Sequence, residues 1–238
     1  MKRNCFTIIC VLALMSFFSC GAEKSESEES TTLENKGEKN IVLALKNKAD
    51  LEECAYTFEE LRDNVDFIAE ANIVEAIPVI YEGLPYVNTE LTPEIIDIYK
   101  GEYNGEKLVL IGGVISTKEY SVIAEKNNIS FTDKELDTGY VSDEWFDIDY
   151  PESGDRVIFF GNYSDDGRIY AAYDYQGLFT IDDGSVSISS LTADETGWYE
   201  DIAHDLENNY SAKIELNGSG ETVTATIDKD ILIKALKQ

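Results

Sequence analysis

A single histidine, His204, and four cysteines occur in 238 residues, and basic side chains are scarce: 19 Lys and Arg stand against 47 Asp and Glu, a formal net charge of −28. The shortage of cations argues against nucleic acid, because binding a phosphate backbone needs clustered Lys and Arg that displace its counterions. One imidazole excludes His-rich metal centres and leaves Ser/His/Asp or Cys/His catalysis with a single possible base. No apolar run reaches the roughly 20 residues of a membrane-spanning helix. What is plentiful is aromatic: 2 Trp, 14 Tyr and 10 Phe within a hydrophobic fraction of 43%. That is too much apolar surface for a disordered chain, and the length suits one globular domain with a proper core.

Lys2 and Arg3 precede an uncharged apolar stretch, Cys5 to Phe18, which is the basic n-region and apolar h-region of an export signal. The stretch ends in Ser19, Cys20 and Gly21. A small residue, Cys and Gly at this place resembles the lipobox of bacterial lipoproteins, with Phe17 and Phe18 standing where that pattern usually has Leu and a small residue. The resemblance implies a signal peptide over 1–19, acylation of Cys20, and a cell-membrane protein held by lipid on the extracytoplasmic face. The alternative is ordinary cleavage and release.

Residues 22–40 carry six Glu, three Lys, three Ser and one large apolar residue, Leu33. Such a segment cannot offset the entropy of ordering it, and 20–40 reads as a solvated acidic tether. From Ile41 onward 14 basic residues face 41 acidic ones, so anionic headgroups repel the folded part and attachment rests on the acyl chains. Cys5 and Cys10 leave with the signal and Cys20 takes lipid. Cys54 remains alone among acids that raise its thiol pKa, and reads as an inert thiol.

Strand patterns dominate the rest. Thr57 and Glu60 form a capping box for a short helix to about Asn64. Residues 66–77 fit a strand or a helix equally. Val87 to Tyr99 is extended, and Leu108 to Ser116 reads as one buried strand bulged at Gly112-Gly113. Ala124 to Ser153 reads as a polar, acidic region with a long loop anchored by Trp145 and Phe146. Hairpins are expected around Asp166-Gly167, Asp182-Asp183-Gly184 and Asn217 to Gly220. In the second strand of the first hairpin, Ile169, Ala171, Tyr173 and Tyr175 share the core face, leaving Arg168, Tyr170, Ala172 and Asp174 toward solvent. Trp198, Ile202 and Leu206 mark a helix over 193–208, and Asp228 caps a last helix over 231–237.

The order TFEEL (57–61), DFIAEANIVEA (66–76), LPYVNTELTPEIIDIYKG (84–101), GDRVIFFGNY (154–163) and YQGLFTIDDGSV (175–186) resembles a group of exported bacterial β-barrel domains loosely similar to the OB-fold. The resemblance implies that 66–77 is a strand and carries no activity with it; Pro93 then marks an edge or bulge. The fold expected is mainly β with minor helix (α+β): an OB-like barrel over 41–191, and a C-terminal helix, hairpin and short helix over 192–238 packed on it.

Chemistry is harder to find. No nucleophile motif accompanies His204, which reads as a surface helix residue. Carboxylates are too numerous for any pair to be diagnostic. Asp147, Asp149, Glu152 and Asp155 lack EF-hand spacing and read as a solvated loop, so neither metal nor cofactor is expected. Ten of the 26 aromatics fall between Trp145 and Phe179. Most suit a core, whereas Trp145, Tyr163 and Tyr170 fall in loops or on the polar face, where rings stack on a sugar or peptide. The sequence therefore favours a non-catalytic binding or interaction module for a protein, peptide or glycan, with an extracytoplasmic carboxylate-based hydrolase as the alternative.

Overall fold

The computed structural model describes residues 39–47, 55–145, 150–173, 176–191, 201–216 and 222–238. The signal segment, Cys20, the tether to Glu38, Cys54, Asp147, Asp149, Tyr175 and Trp198 lie outside the described residues. In chain order the first elements are β1 (Ile41–Asn47), α1 (Phe58–Asn64), β2 (Phe67–Val79), β3 (Asn88–Lys100), β4 (Lys107–Ile111) and β5 (Gly113–Ser116). Then come α2 (Thr117–Ala124), α3 (Asp133–Thr138), β6 (Tyr140–Trp145), β7 (Arg156–Tyr163), β8 (Arg168–Ala171), β9 (Leu178–Asp182) and β10 (Ser185–Leu191). Last are α4 (Asp201–Tyr210), β11 (Lys213–Leu216), β12 (Thr222–Asp228) and α5 (Lys229–Leu236).

The chain is mainly β and closes five strands into a barrel. β2 pairs antiparallel with β3 and β7, β3 with β4, and β7 with β8, while β4 and β8 close the ring as a parallel pair. Phe67, Leu91, Leu108, Phe159 and Ile169, all 0% exposed, fill the interior. β2 and β3 are long enough to bend around that interior because bulges relieve them. One is at Val74, opposite Pro93, where the register slips between Ile73 and Glu75, so Pro93 sits at a bulge as its missing N–H requires.

β7 also pairs with β9, and the sheet continues through β10 and β12 to β11. All seven residues of β10 pair with β12, so the sheet is continuous across the expected boundary at 191/192. A second core fills the space between the barrel's outer wall and α1, α4 and α5, built on Phe58, Leu61, Phe160, Phe179, Leu206 and Leu232. A third lies under α2 and the small sheet β1-β6-β5, with Val87, Ile115, Tyr120 and Val141.

The motifs that order the chain have structural work. The Thr57 hydroxyl accepts the Glu60 amide and caps α1, and Glu60 in turn accepts the Tyr56 N–H. Lys100 Nζ donates to the carbonyls of Arg62 and Asp63 at the other end of α1. Gln176 exchanges two hydrogen bonds with the backbone of Ala55, and Gly177 lets the chain lie against Phe160 and Ala172, where a Cβ would collide.

Four expectations are corrected. Leu108 to Ser116 is two strands in two sheets, since at Gly112-Gly113, with φ of +91° and +143°, the chain leaves the barrel instead of bulging. Most of 124–145 is ordered as the end of α2, α3 and β6, and Trp145 closes a strand, paired with Asn47, instead of lying in a loop. β8 stops at Ala171, so alternation fails beyond it: Ala172, expected in solvent, is 1% exposed. In the described part of the 193–208 segment, helix α4 runs on to Tyr210. It ends where Ser211 turns left-handed and the Ala212 N–H reaches back to Leu206.

Candidate ligand-binding face of the barrel

Strand alternation sends Leu91, Leu108 and Ile169 inward, so their neighbours point out of the barrel. The registers place Ile77 opposite Glu90, Glu90 opposite Val109, and Val109 opposite Tyr170. These four residues form one row across β2, β3, β4 and β8. The adjacent row holds Glu75, Thr92, Lys107 and Arg168; Thr92 pairs with Glu75, Lys107 with Arg168, and Lys107 Nζ donates to the Thr92 hydroxyl.

Tyr81, in the β2–β3 loop, folds back over this face. Its ring centroid lies 4.3 Å from Arg168 Cζ, and its hydroxyl donates to Glu90 Oε1 at 2.9 Å. Arg168 donates to Glu90 Oε1 at 3.2 Å and to Asp166 Oδ2 at 2.7 Å, and Tyr170 donates to Asp166 Oδ2 at 2.9 Å. The cluster therefore joins both loops that border the face.

Arg168 and Asp166 keep side-chain exposures of 30% and 38%, so each ion pair is screened and adds at most about 1 kcal/mol. Their larger effect is to hold two phenol rings in fixed orientations. Burial, then the bond to Glu90, pushes the Tyr81 hydroxyl up, and burial followed by Asp166 does the same to Tyr170. The hydrogen bond to Asp166 raises the Arg168 guanidinium further. Burial alone would raise Asp166, but the bonds from Arg168 and Tyr170 outweigh it and hold the carboxyl below its ordinary value. The face therefore presents protonated phenols, a fixed guanidinium and carboxyl oxygens as acceptors, a set suited to hydrogen bonding and stacking.

Of the aromatics expected to bind ligand, Tyr170 belongs to this face. Tyr163 pairs with Ile169 and so points to the opposite side of the sheet. Its ring centroid lies 6.2 Å from that of Phe67, and its hydroxyl donates to the Glu102 carbonyl while accepting the Glu102 N–H. It pins the 101–106 loop, and it does not share a surface with Tyr170. The side chain of Trp145 lies outside the described residues. His204 is exposed on α4, as expected of a surface histidine.

Tyr81, Glu90, Lys107 and Arg168 were not singled out by sequence reasoning. One signal was present: Arg168 is the only basic residue between Arg156 and Lys213, and it directly follows Asp165-Asp166-Gly167.

Among the described residues, clefts also lie elsewhere. One of about 630 Å³ runs between α1, α4 and α5, past Asp205, Tyr210 and Lys234. One of about 350 Å³ opens beside β6 and α2. Among the described residues no group of three His, Cys, Asp or Glu is placed to hold a metal ion, and no helix is long and apolar enough to cross a membrane. No protein-family model and no curated protein matches the chain.

Proposed function

We propose that the chain is a lipid-anchored, extracytoplasmic binding module with an OB-like barrel, and that it holds an extended glycan across the outer face of β3, β4 and β8. The barrel order β2-β3-β4-β8-β7, with its one parallel pair between the third and fifth strands, supports the OB-like reading. In OB-folds the second and third strands, flanked by the first and fourth loops, bind oligonucleotides and oligosaccharides. A net charge of −28 disfavours the former.

The observation that carries the reading is the Tyr81–Arg168–Asp166–Tyr170 cluster, which fixes two rings beside donors and acceptors on one strand face. On this face the Asp166 carboxyl is held below its ordinary value by its bonds from Arg168 and Tyr170, as a structural acceptor is, whereas a general acid is raised.

The test is a glycan-array screen of the full chain, followed by calorimetry on the best oligosaccharide. Tyr81→Ala and Tyr170→Ala are each expected to weaken binding by about tenfold, in line with the loss of one aromatic stacking contact. Turnover of the oligosaccharide would support the hydrolase instead, and retention unchanged in both variants would rule out this face.

A further inference from the structure

The cleft between α1, α4 and α5 has a volume of about 630 Å³. Helix α4 lines it with Asp205, Asn209 and Tyr210, spaced i, i+4 and i+5, and Glu59 in the first turn of α1 extends this acidic wall. The wall is held in place. Asp205 Oδ2 accepts the Phe58 amide at 2.8 Å, which ties α4 to α1, and Oδ1 accepts Asn209 Nδ2 at 2.6 Å. The Tyr210 ring stands edge-on to Phe58, their centroids 5.3 Å apart, and burial, reinforced by Asp205 and Glu59, pushes its hydroxyl up, so it keeps its proton and can donate. Helix α5 contributes Lys234 and, one turn before it, Ile231, which is 41% exposed. Among the described residues neither Glu59 nor Lys234 stands in an ion pair, although both border the same cleft.

We propose that this cleft binds a short peptide with free ends, its ammonium at Glu59 and Asp205, its carboxylate at Lys234, and an apolar side chain over Ile231 and the Tyr210 ring. An anion would face two carboxylates, and a simple cation would face the ammonium of Lys234. A ligand carrying both charges satisfies both walls. It is also neutral overall, so a chain with a net charge of −28 does not repel it as it repels anions. The volume lies within the range of about 300–1,000 Å³ usual for small-ligand sites. The site is independent of the barrel face proposed above.

Calorimetric titration of the full chain with dileucine, with its N-acetylated form and with its C-terminal amide tests the idea. Dileucine should bind saturably, and blocking either end should weaken binding by about tenfold, as the loss of a charge-assisted hydrogen bond does. Glu59 and Lys234 are exposed, so Glu59→Gln and Lys234→Gln leave the core untouched. Lys234→Gln should bind the acid and its amide alike, and Glu59→Gln should lower the affinity for dileucine severalfold. Tyr170→Ala, on the barrel face, should leave dileucine binding unchanged. No saturable heat, equal affinity for the blocked forms, or undiminished affinity in both Glu59→Gln and Lys234→Gln overturns the proposal.

Discussion

Lys229, the first residue of α5, places Nζ 2.6 Å from Oε1 of Glu70 on β2, a carboxylate 2% exposed on the outer wall of the barrel. The same Glu70 pairs with Arg156 on β7 and accepts the Tyr99 hydroxyl at 3.0 Å from β3. One side chain thus ties the C-terminal helix to three barrel strands, and three donors meet the cost of burying its charge.

Glu70 should make folding sensitive to acid. Burial opposes its ionisation, but the bonds from Lys229, Tyr99 and Arg156 together outweigh burial and hold the carboxyl below its ordinary 4.5. A depressed folded-state value means that the stabilisation is complete above about pH 4.5 and is lost as pH falls through the folded value. Glu70→Gln should cost about 2 kcal/mol at neutral pH, since it takes the buried carboxylate from the half-exposed Arg156 and the partly buried Lys229, which solvent still screens. Urea unfolding at pH 7 and pH 3 checks this: the gap between variant and wild type should narrow in acid.

Gly112→Ala should be among the most damaging small substitutions in the domain. At φ of +91° a side chain is strained, and a Cβ would overlap the Tyr150 hydroxyl and press on the Asp143 carbonyl. Tyr150 donates to the Ile111 carbonyl at 3.0 Å and cannot withdraw freely. A loss of about 2 kcal/mol or more is expected in thermal or urea unfolding, against about 1 kcal/mol for Gly184→Ala, where the turn is open and only the φ of +82° is strained.

What the sequence disclosed is what short-range physics determines. The turn at Asp183-Gly184 takes two successive left-handed residues, φ of +41° and +82°, and Asp-Gly is a dipeptide suited to that geometry. Thr57 with Glu60, and Asp228, announce their helices from hydroxyl and carboxylate caps. The same logic applied to Ser116 with Glu119, and to Thr132 with Glu135, would have revealed α2 and α3, both capped in the structure. The break at Gly112 was concealed because apolar residues continue on both sides of it, so two buried strands read as one. The candidate face was less legible, because it depends on non-local register. Tyr163 and Tyr170 look equivalent in sequence and point to opposite sides of the sheet, and Tyr81 meets Arg168 only once the barrel closes.

Asn88→Val should be neutral or stabilising. Asn88 is 2% exposed at the start of β3, and its Nδ2 has no hydrogen-bond partner. Removing a buried donor that lacks an acceptor avoids its desolvation penalty, and a β-branched residue suits a strand. A gain of up to about 1 kcal/mol in urea unfolding is the expected result, and a clear loss would mean that the amide is bonded in solution.

Anchoring should depend on Cys20, which ends the apolar signal stretch at Ser19-Cys20-Gly21. Cys20→Ser should shift the protein from the membrane fraction to the soluble fraction or leave it as precursor. Mass spectrometry of the wild type should find acyl groups on Cys20, and lipid-free wild-type protein would argue for release.

Salt should stabilise the domain through general screening. From Ile41 onward 14 basic residues face 41 acidic ones, and self-repulsion at that imbalance opposes the compact state. Raising ionic strength from 0.01 M to 0.15 M shortens the Debye length from about 30 Å to about 8 Å, which weakens repulsion between separated surface carboxylates while leaving contacts such as Lys229 with Glu70 largely intact. The melting temperature should therefore rise with NaCl and level off near physiological strength. CaCl₂ at matched ionic strength should give the same rise if the acidic segment holding Asp147 and Asp149 is a solvated loop. A calcium site would instead add a saturable increment following RT ln(1 + [L]/Kd), removed by chelator and by Asp147→Asn with Asp149→Asn. Equal shifts with the two salts are the expected outcome.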